Sequence, residues 1–267
     1  MSEWLSRAYR GMATGVCFAV FGLGGLAISV TVFPLLMLLV RDERLRQRVG
    51  KWVMRQSFHF FFEFMRFTGV LRYRVKHLER LSRPGLLIVA NHPSLIDVVF
   101  LLGLLERANC IVRSTLLRNP FMRYPILAAG LVPNGEGGVD LLDRCIQSMN
   151  SGDALLVFPE GSRSEPTHLL PFQRGAAHLA VRARKDVTPV VIRVSEHNLG
   201  RHSVWWRAPR RRIDYEFEIK EDIPIQPLLE RHPEPPAAAR ELTAQLRQYF
   251  EEELEIPCRA PTLSNAS

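Results

Sequence analysis

Asn91, His92 and Asp97 carry the first spacing that could do chemistry. An apolar run at residues 86–90 stops at Asn91-His92-Pro93, and Asp97 stands five residues after the histidine among leucine, isoleucine and valine. If the run is a strand and a helix follows, His92 lies at the C-terminal edge of a sheet, where α/β proteins place ligand crevices. Pro93 suits the first helical position, where its missing N–H costs nothing, and Asp97 falls about one turn further on. A carboxylate there can accept from one ring nitrogen and leave the other as a base, the base-and-orienter half of a catalytic triad. No GxSxG is present and no cysteine neighbours the turn, so the nucleophile would be the substrate's own hydroxyl. Taken alone, the pair is better described by a helix-supporting aspartate and a packed histidine, since such spacings occur often by chance.

A second stretch, "ALLVFPEGSRSEP" at residues 154–166, repeats the pattern of an apolar run ending in polar residues. Glu160, Gly161, Ser162 and Arg163 follow Phe158-Pro159. Gly161 allows close backbone approach or positive φ, and the planar fork of Arg163 suits phosphate. Two strand ends bearing a base, carboxylates, glycine and arginine favour one converging crevice over two ordinary polar turns.

The elements that must position these residues follow from periodicity. Short β-like runs at 85–90, 109–113, 154–158, 188–194 and 213–220 alternate with helical patterns at 94–106, 121–129, 139–149, 172–185 and 237–254. This order predicts an α/β domain over residues 73–255 with a mostly parallel sheet flanked by helices. In the last strand, Ile213, Tyr215, Phe217 and Ile219 alternate with charged residues, so one of its faces is expected to be solvated. Residues 256–267 read as a flexible tail.

Residues 1–72 have another character. Positions 11–40 carry no charge at all, longer than the ~20 apolar residues that span a bilayer core as helix, with possible breaks near Gly22–Gly25 or Pro34. No small-residue cleavage site follows, which argues against a signal peptide. Gly22, Gly24 and Ala27 match GxGxxA but follow no strand, so they read as helix packing and not as a dinucleotide turn. The basic flank is the later one, from Arg41 to Arg55, which would place the rest of the chain in the cytoplasm at the inner membrane. The next 20 residues carry seven aromatics between Trp52 and Phe67 and read as an interfacial helix.

The net charge of +8, with 31 arginines among the 35 basic residues, points to an anionic partner. Beside an apolar N-terminus a membrane surface is the expected one, including for "WWRAPRRR" at 205–212, and nucleic acid is not. Four scattered cysteines without a CxxC suit a reducing compartment and argue against a disulfide framework and a zinc site. His168, His178 and His197 lack metal-ligand spacing.

The sequence resembles the glycerolipid acyltransferases of the bacterial 1-acyl-sn-glycerol-3-phosphate acyltransferase type. Their NHxxxxD motif is similar to residues 91–97, and their FPEGTRS motif to residues 158–164 with Ser162 in place of threonine. "PFQRGAAHLA" at 171–180, containing Gly175, resembles the family's Phe-basic-x-Gly-Ala helix, and residues 187–191 its later VPV element. The resemblance implies a membrane-bound enzyme that transfers a fatty acyl group from acyl-CoA or acyl-carrier protein to a lysophospholipid hydroxyl, with lysophosphatidic acid the first acceptor. It implies His92 as base, Asp97 as its orienter, and Asn91, Glu160, Gly161, Ser162, Arg163 and Gly175 as substrate-binding residues. No metal or other cofactor is implied, because a thioester is already activated. One departure concerns the arginine that the family places after a GxxFIxR-like strand. Here that stretch is Gly130-Leu131-Val132-Pro133-Asn134, and Arg144, Arg113 or Arg118 would have to replace it. The alternatives are an acceptor without glycerol phosphate, such as an aminoacyl lipid, or an inactive lipid-binding membrane protein.

Overall fold

In the computed structural model, which describes residues 3–135, 138–164, 169–195 and 212–256, the uncharged run forms α1 (Glu3–Val30) and α2 (Val32–Leu39). The break at Thr31 has a local cause. Pro34 has no N–H to donate back, and Thr31 Oγ1 bonds the Ala27 carbonyl at 2.6 Å. The helix α3 (Glu43–Phe67) then returns antiparallel to them, capped by Asp42, whose carboxylate accepts from Leu45 N at 2.9 Å. Tyr9 reaches the Thr68 carbonyl at 3.0 Å, and Phe21 stacks on Phe61 at 4.2 Å.

Two expectations need correction here. The aromatic helix is not simply interfacial: Phe61, Phe62 and Met65 are buried in the core, and only Trp52, Phe60 and Phe67 are open. Gly50 shows how closely it docks, since a Cβ there would lie 2.7 Å from the Ala128 carbonyl oxygen. The GxGxxA stripe does not pack, because a Cβ at Gly22 or Gly24 would meet nothing within 4 Å.

The sheet comprises β1 (Leu71–Lys76), β2 (Leu87–Ala90), β3 (Ala108–Arg113), β4 (Val132–Asn134), β5 (Ala154–Val157), β6 (Val187–Val194) and β7 (Ile213–Ile219). Their spatial order is β1-β7-β6-β2-β5-β3-β4, and every pairing is parallel except β6 with β7. β1 lies two residues ahead of the expected domain start at 73, since its apolar Leu71 follows directly on the aromatic helix.

The helices α4 (Asp97–Leu104), α5 (Pro120–Ala129) and α6 (Gly138–Asn150) precede β5 in the chain. α7 (Gly175–Ala183), α8 (Gln226–Arg231) and α9 (Pro235–Glu253) complete the set among the described residues. Side-chain alternation in β2 sends Ile88 and Ala90 toward the layer of α1, α3 and α4, and Leu87 and Val89 toward the layer of α7 and α9. Phe100 on α4 stacks on Phe217 of β7 at 3.8 Å and ties that layer to the sheet. On β7 the apolar residues are all inward, and Asp214, Glu216 and Glu218 lie outward. Expectations at Cys258, His168, His197, residues 205–211 and the tail from 257 fall outside the described residues.

Candidate active site

β2 is the strand where the chain switches direction: β5 lies on one side and β6 on the other. A crevice opens at such a point beyond the strands' carboxyl ends, and His92 stands there two residues after Ala90. The helix that follows starts later than expected. Residues 91–96 form a loop, so Pro93 does not open a helix, and Asp97 is the first residue of α4 instead of lying a turn inside it. The cause is Asp97 itself. Its Oδ2 accepts from Ser94 N at 2.6 Å and lies 3.0 Å from His92 Nδ1, so the carboxylate caps the loop that a longer helix would consume.

Asp97 is fully buried and its Oδ1 has no hydrogen-bond partner among the described residues. Burial pushes its pKa up, opposed by the His92 ring, the Ser94 N–H and the positive charge of Arg163. The Ser94 hydroxyl is 2.7 Å from the Tyr215 hydroxyl, deep in the core, where burial raises the tyrosine's pKa. A buried hydroxyl needs a partner, so the lone tyrosine on the apolar face of β7 was the available signal for this contact, which sequence reading missed.

The second wall is the turn after β5. Glu160 is buried, with Oε1 accepting the His92 backbone N–H at 2.8 Å and Oε2 accepting Leu170 N at 3.3 Å. Ser164 N donates to the His92 carbonyl at 2.9 Å, so the two expected motifs are stitched main chain to main chain. Gly161 has φ +65°, a left-handed turn that a side chain would strain. Phe158 lies against the His92 ring at 4.5 Å between centroids. Ser162 is half-buried on the same turn. Gly175 opens α7 two residues after Gln173, whose N–H bonds the Pro159 carbonyl at 2.7 Å.

Asn91 follows β2 as expected, but its side chain is engaged by the sheet, and Arg144 lies away from the crevice. The Asn91 amide bonds both backbone groups of Ile192, at 2.7 and 2.8 Å, and so clamps β2 to β6. Arg144 lies on α6, which runs back from β4 toward the start of β5. There it lines a cleft with Arg44, Arg48 and Asp153 at the opposite edge of the sheet. Arg113 ends β3 on the His92 edge, and Arg118 ends the short turn of helix that follows, both exposed. His178, in α7, is half-buried.

Glu160 makes a pH prediction. Burial outweighs its two N–H partners and lifts its pKa to about 7. A carboxyl with a raised folded-state pKa stabilises the fold below its ordinary value, and that contribution is lost as pH rises through about 7. Urea melts of the wild type should therefore show a stability component falling between about pH 4.5 and 7. In Glu160→Gln that component should vanish and the profile flatten; an unchanged slope would remove Glu160 as its source.

Residues 72–193 match the family model described as Acyltransferase. The chain is 29% identical over 156 residues to the 1-acyl-sn-glycerol-3-phosphate acyltransferase of Saccharomyces cerevisiae, covering 55% of this chain and 50% of that protein. The enzyme of the same name from Pseudomonas aeruginosa is 25% identical over 195 residues, 70% of each chain. The relative from Brassica napus, a chloroplastic 1-acyl-sn-glycerol-3-phosphate acyltransferase, is 31% identical over 39% of this chain and 31% of its own length. The chain thus spans half or less of the yeast and Brassica relatives. The fold of the matched segment and of the N-terminal helices is shared with the crystal structure of the 1-acyl-sn-glycerophosphate acyltransferase PlsC from Thermotoga maritima. The TM-score is 0.70 at 19% identity, over 98% of this chain and 100% of that one.

Proposed function

We propose that the protein transfers a fatty acyl group from an acyl thioester, acyl-CoA or acyl-carrier protein, to a hydroxyl of a lysophospholipid, with lysophosphatidic acid the first acceptor. The observation that carries the reading is the contact of His92 Nδ1 with a buried Asp97 carboxylate at the crevice edge. With Nδ1–H donated to Asp97, Nε2 is the free lone pair and takes the proton of the acceptor hydroxyl. The hydroxyl oxygen attacks the thioester carbonyl, the C–O bond forms and the C–S bond breaks. The leaving thiolate then receives the proton from His92. Asp97 stabilises the transient imidazolium, and Arg163, with Arg113 and Arg118 on the same edge, offers guanidinium donors to the acceptor phosphate.

Membrane association is supported by the N-terminal helices. Ser6–Leu39 is long and apolar enough to cross a bilayer, and only 17% of its most apolar window is buried. Met12, Leu23, Leu35, Leu38 and Leu39 are open. Yet α1 lies lengthwise on α3 from Tyr9 to Phe21, and a perpendicular span would draw Glu63 and Arg66 of α3 into hydrocarbon. An in-plane position in one leaflet, with the basic flank at the cytoplasmic surface of the inner membrane, avoids that penalty.

The test is a panel of lyso-lipid acceptors offered to purified protein with both donors. Lysophosphatidic acid should be converted well above lyso-lipids without a phosphate monoester. Conversion of an aminoacyl lyso-lipid instead would move the acceptor, and no transfer to any acceptor would favour a lipid-binding role.

A further inference from the structure

One large cavity among the described residues is not at His92. It is a cleft of about 930 Å³ at the edge where β3, β4 and β5 begin, walled by the first turns of α3 and the end of α6. The strands between the two edges are parallel, and the four residues of β5 alone separate them by ~13 Å. Its lining includes five basic side chains, Arg44, Arg48, Lys51, Arg107 and Arg144, against Glu43 and Asp153.

The acids are already engaged. Asp153 accepts from Lys51 Nζ at 2.5 Å, Arg107 Nε at 3.1 Å and Ser148 Oγ at 3.0 Å. Glu43 accepts from Gln47 at 2.9 Å. Arg44, Arg48 and Arg144 have no ion pair or hydrogen bond among the described residues, although all three line the same cleft. Arg44 and Arg48 sit one helical turn apart, a like-charge pair that costs a helix a few tenths of a kcal/mol. An anion between the guanidiniums would relieve that repulsion.

We infer that this cleft is a second phosphate-binding site, separate from the His92 crevice, and that it holds the phosphodiester headgroup of a membrane lipid. The chemistry common to any occupant is phosphate, matched by three arginine forks. The lipid source is favoured by the rim. Leu127 lines the cleft, and Leu38 and Leu39, among the most exposed apolar residues, lie within six residues of Arg44. Acyl chains would follow these residues while the headgroup enters the cleft.

The test is calorimetric titration of the full chain in uncharged detergent micelles with short-chain phosphatidylglycerol, short-chain phosphatidylcholine, inorganic phosphate and adenosine 3′,5′-bisphosphate. Saturable binding of phosphatidylglycerol is expected. It should weaken about tenfold or more both in the Arg44→Ala, Arg48→Ala, Arg144→Ala triple variant and in the matching triple lysine variant, because lysine keeps the charge but not the fork. Lysine variants that bind as the wild type does would reduce the site to diffuse charge and overturn the proposal. Tighter binding of inorganic phosphate or the nucleotide than of the lipid would overturn the lipid assignment. Binding is read without acyl transfer, so this outcome is independent of the proposed reaction.

Discussion

His92→Ala is expected to lower acyl transfer from a labelled thioester by ~10²–10⁴-fold, the range that a positioned general base supplies. Rate enhancement from holding the two substrates together would persist, so the residual rate should exceed that of the uncatalysed mixture. The loss should lie in turnover and not in folding. The His92 side chain is 14% exposed, and the stitching of the two loops uses its backbone N–H and carbonyl, which alanine retains. Asp97→Asn should also lose activity, for a different reason. The amide oxygen can take the place of Oδ2 and serve both Ser94 N–H and the ring, but the negative charge that stabilises the imidazolium is gone. An amide turned the other way would aim its N–H at Nδ1 and favour the wrong tautomer. Membrane flotation of both variants should match the wild type. Normal turnover in His92→Ala would sink the base assignment.

The largest stability effect is expected at Asp153→Ala. Lys51 and Asp153 are nearly inaccessible, at 6% side-chain exposure each, and link α3 to the start of β5. Removing the carboxylate leaves a buried ammonium without its counter-ion, and breaking such a pair costs ~3–5 kcal/mol. Urea unfolding at neutral pH should show that loss. Burial already holds the Lys51 pKa below its ordinary value, with Asp153 as the main opposing influence. Without Asp153 the folded-state pKa falls further, so the unfolded chain binds the extra proton over a wider range. The deficit should therefore shrink as pH rises toward the ordinary lysine value. Adding Lys51→Met should recover much of it, because an apolar side chain has no charge to strand. A pH-independent deficit unaffected by that second change would show that the pair is not its origin.

Local pattern determined a great deal about this protein. Strand ends at Asn91-His92 and Phe158-Pro159, the five-residue spacing to Asp97 and the inward face of β7 all follow from apolar runs a few residues long. Such runs encode burial within one element, which is why five strands were legible to within a residue or two. The start of α4 was not, because Asp97 spends its carboxylate on Ser94 and His92, a choice that helix periodicity does not contain.

Only the tertiary structure decided which polar groups share a site. Glu160 meets the His92 backbone across 68 residues, and Ser94 meets Tyr215 across 121. Arg144 reads in sequence as one of three arginines, with Arg113 and Arg118, that could hold phosphate at the crevice, yet α6 carries it to the other edge of the sheet, beside Arg44 and Arg48. Residue type states what a side chain can bind; the direction in which each helix returns across the sheet states where it binds. That direction depends on packing between segments a hundred residues apart, and so no local spacing could reveal it.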